Sequence, residues 1–193
     1  MNISVFGASS GKIDPRYFSA AEELGRTIAE QGHCLIFGGG KSGLMGACAS
    51  GACKAGGELF GIAPRFFDEP GILMKDECRF VFTDTMAERK SLMIEKADAF
   101  IALPGGIGTF EEFFETLTLK QLGQHSKPIA LLNTLGYFDS FVSVLESSVE
   151  KGFMSANCLA IFSVCPDPVS ALHYVCTAEH ITGSMRRLED YTR

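Results

Sequence analysis

Asp98-Ala99-Phe100-Ile101-Ala102-Leu103-Pro104-Gly105-Gly106-Ile107-Gly108-Thr109-Phe110-Glu111-Glu112-Phe113-Phe114-Glu115 changes character twice along its length. The run from Ala99 to Leu103 is apolar and short, as expected of a strand buried on both faces of a parallel sheet. Pro104 has no N–H to give a sheet ladder, so the strand should end there. Gly105, Gly106 and Gly108 permit tight turns and leave their amides approachable. Thr109 suits the N-cap of a helix carrying Glu111, Glu112 and Glu115 among Phe110, Phe113, Phe114 and Leu117. Strand, glycine turn and helix N-terminus in that order make an anion site, because amides and helix dipole converge on one point. Carboxylates beside such a site are out of place for phosphate binding alone. They point to chemistry on whatever the phosphate is attached to.

The same grammar recurs on both sides of this stretch. Strands are expected at Ile3 to Phe6, Cys34 to Phe37, Leu59 to Ala63, Arg79 to Phe82, Pro128 to Leu132 and Leu159 to Val164. Helices are expected from Pro15 to the Gly32 stop, from the Gly38–Gly46 loop to about Ala55, from Met86 to about Ala97 and from Tyr137 to Lys151. A last helix opens at Pro168 and frays towards Arg193, and residues 65 to 78 read as irregular and mobile. Strand and helix alternate with connections too long for hairpins. The expected fold is therefore a Rossmann-like, doubly wound parallel α/β sheet of about seven strands with helices on both faces. Residues 1–193 form one expected domain, with residues 155–193 the least patterned part. Ligands on such a sheet bind at the carboxyl ends of the strands.

Composition narrows the class. The chain has 46% hydrophobic and 21% charged residues, as soluble globular proteins do, and a net charge of -6 that argues against general binding to nucleic acid or anionic membrane. No run approaches the ~18 apolar residues that span a bilayer, and the N-terminus enters a strand at once, without a signal-like segment. The 7 cysteines form no C-x-x-C pair and several sit in apolar runs, so the expected setting is a reducing cytoplasm. The histidines at 33, 125, 173 and 180 show no metal or triad spacing. Neither metal nor organic cofactor is expected.

Three glycine-bearing loops should open on one sheet edge: Gly7 to Gly11, Gly38 to Gly46 and Gly105 to Gly108. The middle one satisfies G-x-G-x-x-G at Gly38, Gly40 and Gly43, but the next strand ends Ala63-Pro64-Arg65, without the acidic residue that a dinucleotide ribose requires. Gly40-Lys41-Ser42 is not a P-loop, since Leu35 stands where its leading glycine belongs. What remains is a cradle for a single phosphate with a small organic body beyond it.

Pro104-Gly105-Gly106-Ile107-Gly108-Thr109-Phe110-Glu111-Glu112 fits P-G-G-x-G-T-x-x-E, preceded by Met86-Ala87-Glu88-Arg89-Lys90. With Gly7-Ala8-Ser9-Ser10, Gly38-Gly39-Gly40, Gly43-Leu44-Met45-Gly46 and Gln121-Leu122-Gly123, this resembles the Lonely Guy family of cytokinin riboside 5′-monophosphate phosphoribohydrolases, formerly known as lysine decarboxylases. The likeness covers roughly residues 2 to 154. It implies hydrolysis of the N-glycosidic bond of an N6-substituted adenosine 5′-monophosphate, giving free base and ribose 5-phosphate, in a homodimer. A nucleosidase for plain AMP and a non-catalytic nucleotide-binding module are the rival readings.

The resemblance makes Glu112 and Arg89 the catalytic pair. Glu112, in the first helical turn, would keep an ionised carboxylate near the sugar, although Thr109-x-x-Glu112 is equally a capping box by spacing alone. Arg89 would orient substrate and balance charge, where the bland alternative is a solvated helix face. Phosphate is expected on Gly105, Gly106, Ile107, Gly108 and Thr109, with ribose or base near Ser9, Gly39, Gly40 and Gly43. Lys90, Glu115 and Met86 are secondary candidates. No general acid for the departing base is evident.

Overall fold

The computed structural model describes residues 1–181, so the expected fraying of the last helix towards Arg193 lies outside the described residues. Seven parallel strands form one sheet: β1 (Asn2–Phe6), β2 (Cys34–Phe37), β3 (Leu59–Pro64), β4 (Arg79–Thr83), β5 (Ala99–Ala102), β6 (Ile129–Leu132) and β7 (Ser163–Cys165). Their spatial order is β4-β3-β2-β1-β5-β6-β7. The central strands β2, β5 and β6 are buried at every position, which is why they read as continuous apolar runs rather than alternating ones.

Among the described residues, α1 (Pro15–Glu30), α2 (Gly43–Lys54), α3 (Met86–Lys96), α4 (Ile107–Gln121) and α5 (Asp139–Glu150) connect strands, β3 runs to β4 without an α-helix, and α6 (Pro168–Thr177) follows β7. Leu24 and Ile28 of α1, Leu44 and Cys48 of α2 and Leu172 of α6 pack with Ile3, Val5, Leu35 and Ile101 on one face of the sheet. Met93 of α3, Phe113 and Leu117 of α4 and Leu145 of α5 pack with Phe6, Ile36, Phe100 and Leu131 on the other. The doubly wound expectation is met.

The chain lays strands outward from β1 to β4, then returns to place β5 on the other side of β1, with Ile3 opposite Ala99 and Phe6 opposite Ala102. The connections leaving β1 and β5 therefore diverge, opening a crevice at their carboxyl ends. Both are glycine loops.

Several boundaries differ from expectation. Helix α4 starts at Ile107, capped by Gly106, so Thr109 lies inside it rather than at its N-cap. Helix α5 starts at Asp139 after a 3-10 turn at Thr134–Gly136, in which Leu135 has φ 55°. The last strand is Ser163–Cys165, because Ala156–Leu159 forms a 3-10 turn begun by the Ser155 hydroxyl on the Asn157 amide. Residues 65 to 78 are irregular apart from a 3-10 turn at Arg65–Phe67, as expected. They are also pinned to the second glycine loop. The Lys41 amide donates to Ile72 O at 2.9 Å and the Met74 amide to Gly39 O at 2.8 Å.

Candidate active site

At the β1/β5 crevice lies a cleft of about 620 Å³, lined by the first glycine loop, the second, the strap 65–78, the start of α3 and the start of α4. Arg89 comes from α3, whose Thr85 N-cap accepts the Glu88 amide at 3.1 Å. That cap fixes where α3 begins, and so directs Arg89 inward. Its Nε donates to the Ile62 carbonyl at 3.2 Å. One terminal nitrogen lies 3.0 Å from Glu112 Oε1. The other lies against Gly38, where a Cβ would fall 2.2 Å from it. Any side chain at residue 38 would displace the guanidinium.

Glu112 is the sixth residue of α4, past the first turn, and only 8% exposed. Its carboxylate is bonded to Arg89 and not to a capping amide, which removes the capping-box reading and the first-turn dipole argument together. Burial pushes the Glu112 carboxyl above the usual carboxylate range, more than neighbouring Arg89 pulls it down. One oxygen is oriented by a fixed cation; the second can meet a hydroxyl or a water.

The amide end of α4 belongs to the same wall as Glu112. Gly106, Ile107, Gly108 and Thr109 line the cleft, and no side chain caps the helix. Its first-turn amides are therefore unpaired within the protein. Gly105 stands just behind this wall: the Thr109 side chain packs against it so closely that a Cβ there would meet Oγ1 at 2.1 Å.

Of the other expected residues, Ser9, Gly40 and Met86 line the cleft, while Gly39 and Gly43 do not. Gly39 packs over Phe80, and Gly43 opens α2 against the Ala8 carbonyl. Lys90 and Glu115 also stand outside the lining. Lys90 bridges Glu111 at 2.7 Å and Glu115 at 2.8 Å, forming a cluster that ties α3 to α4. Phe67, Ile72 and Leu73 of the strap join Met45 as apolar lining residues that sequence reasoning missed. Their signal was a long connection leaving β3 at the ligand edge with apolar residues in no periodic pattern.

No histidine lines the cleft among the described residues. His125 bonds the Thr116 carbonyl at 2.9 Å, and His33 lies between the Met1 amine and the Cys176 thiol. No cluster of His, Cys, Asp or Glu among the described residues has metal-binding geometry.

Residues 45–175 match a protein family described as possible lysine decarboxylase. The chain is 38% identical over 165 residues to a cytokinin riboside 5′-monophosphate phosphoribohydrolase of Arabidopsis thaliana, covering 86% of this chain and 78% of that protein. It is 39% identical to the enzyme of that name from Rhodococcoides fascians, over 89% and 87% of the two chains. Among solved structures, the molybdenum cofactor carrier protein of Chlamydomonas reinhardtii superposes with a TM-score of 0.68 at 25% identity, over 91% and 95% of the two chains. A molybdenum cofactor binding protein from Rippkaea orientalis gives 0.69 at 24% identity over 91% and 94%, which shows a shared fold.

Proposed function

Because the chain belongs to the Lonely Guy family of cytokinin riboside 5′-monophosphate phosphoribohydrolases, we propose that it releases the free base and ribose 5-phosphate from an adenosine 5′-monophosphate substituted on its exocyclic amine. The observation that carries this reading is the buried Arg89–Glu112 pair, held at 3.0 Å in a cleft also lined by the start of α4, which no side chain caps. N-glycoside cleavage builds positive charge on the ribose. An oriented carboxylate is the group that stabilises such charge and takes a proton from attacking water.

In this reading the phosphate rests on the amides of Gly106 to Thr109, attracted by the helix dipole. Glu112 Oε2 faces C1′ or a ribose hydroxyl, and Arg89 fixes Oε1 and adds a permanent positive charge near the ribose oxygens. Water adds at C1′ while the C–N bond breaks and its electron pair leaves with the base. The base takes its proton from solvent, since no side chain is assigned that task. The adenine and its substituent lie towards Met45, Met86, Phe67, Ile72 and Leu73, an apolar surface suited to an alkyl group.

The decarboxylase description does not fit these residues. Lys41, the one lysine lining the cleft among the described residues, is exposed and faces Glu77 at 3.9 Å, whereas a Schiff-base lysine is desolvated. We further infer a homodimer, because Phe114 and Leu122 at α4 and Val144 on α5 are exposed on one side of the sheet. A cytoplasmic setting agrees with cysteines that are all free. No described helix is long and apolar enough to cross a membrane.

The test is a panel of nucleoside 5′-monophosphates incubated with the protein and resolved by chromatography. Preferential loss of the isopentenyl derivative, with equal amounts of base and ribose 5-phosphate, is expected. Preference for AMP would transfer the activity to a general nucleosidase, and binding without cleavage would make the protein a carrier.

A further inference from the structure

A carbonyl oxygen turned into the cleft beside the α4 amides would repel a phosphate, so the three carbonyls of the loop need partners elsewhere. Pro104 O accepts from the Ala8 amide at 3.1 Å and Gly106 O from the Phe110 amide at 3.1 Å. Gly105 O accepts from the Tyr137 hydroxyl at 2.5 Å. The outer two bonds are main chain to main chain. The middle one depends on a single side chain.

In a trans peptide the carbonyl of one residue and the N–H of the next point to opposite sides of the same plane. No peptide bond among the described residues is cis. Holding the Gly105 oxygen towards Tyr137 therefore turns the Gly106 N–H the opposite way, and Gly106 lines the cleft. With glycine on both sides, this peptide has little steric resistance to flipping. A flip would exchange a donor for an acceptor at the phosphate position.

Tyr137 is itself well held. Its ring meets Tyr17 edge-on at 6.2 Å and Phe138 at 5.0 Å. The preceding turn is tied by the Asn133 side chain, which accepts the Phe138 amide at 2.7 Å and donates to Asp139 at 2.7 Å. Leu135 keeps φ 55° inside that turn, a conformation leucine adopts only when its surroundings fix it.

We propose that Tyr137 is a positioning residue that sets the Gly105–Gly106 peptide so that its N–H, not its carbonyl, meets the substrate phosphate. The role rests on the phosphate reading given above. Tyr137→Phe keeps the ring packing and removes only the hydroxyl. Calorimetric titration of the variant with inorganic phosphate, ribose 5-phosphate and adenine, beside the unaltered protein, separates this role from general loosening.

Affinity for inorganic phosphate and ribose 5-phosphate should fall about five- to tenfold, the scale of one hydrogen bond, while adenine affinity stays within about twofold. In turnover of the nucleotide, KM should rise more than kcat falls. Unchanged phosphate affinity, or equal weakening of phosphate and adenine, would overturn the role of Tyr137. Failure of the unaltered protein to bind phosphate at all would instead remove the phosphate site, and the role with it.

Discussion

In the proposed mechanism Glu112 meets two demands that oppose each other: a carboxylate near a developing cation should be ionised, yet burial favours its neutral form. Arg89, 3.0 Å away, offsets part of the burial penalty. Because the Glu112 pKa is raised above its ordinary 4.5, turnover that needs the ionised form falls as pH drops through a midpoint above that value. Arg89 acts to lower this pKa, so Arg89→Ala should move the acid limb of kcat to higher pH as well as lowering the rate. In that variant the unpaired carboxyl favours the protonated folded state, and stability should decline as pH rises from 4.5 through the raised folded pKa. Urea titration at pH 5 and pH 8 checks the sign. A variant more stable at the higher pH would contradict it. The identity of both residues was legible as P-G-G-x-G-T-x-x-E and its preceding arginine. Their pairing came with the resemblance, but spacing alone left the capping-box alternative for Glu112 open until the helix start was known.

Element α4 shows why that start was misplaced. Thr109 looks like a cap because threonine is a common one, but the Gly105 turn needs the Thr109 side chain packed directly against it, and Gly106 takes the N-cap position. The amides left without a side-chain cap are the ones to which the proposed mechanism assigns the phosphate. The strap at residues 65 to 78 was unreadable for a related reason: its order comes from hydrogen bonds to Gly39 and Lys41, distant in sequence, rather than from local periodicity. Phe67→Ala and Leu73→Ala should each lower kcat/KM for the isopentenyl nucleotide by about tenfold, while AMP cleavage changes much less. Equal losses for both nucleotides would mean that the strap does not touch the substituent. On the far face, α1 and α2 pack so closely that a Cβ on Gly25 would lie 1.8 Å from the Cys48 carbonyl oxygen. Gly25→Leu should cost at least about 1–3 kcal/mol of stability by urea unfolding without altering the KM of the fraction that folds.

For the whole molecule, alternation implied a parallel sheet but not its strand order, and the placing of β5 beside β1 brings their two glycine loops to one crevice, which the second glycine loop also lines. Topology explains why residues as far apart as Ser9, Arg89 and Glu112 share a cleft, which no local reading of the sequence could show. The exposed apolar side chains of α4 and α5 lead us to expect twice the chain mass by light scattering, and a monomer at micromolar concentration would count against a dimer. The account as a whole turns on one carboxylate. Purified protein and its Glu112→Gln variant, each incubated with isopentenyladenosine 5′-monophosphate, should differ by about 10²–10⁴-fold in the rate at which free base appears, with unchanged circular dichroism. Equal rates from the two folded proteins would contradict the account.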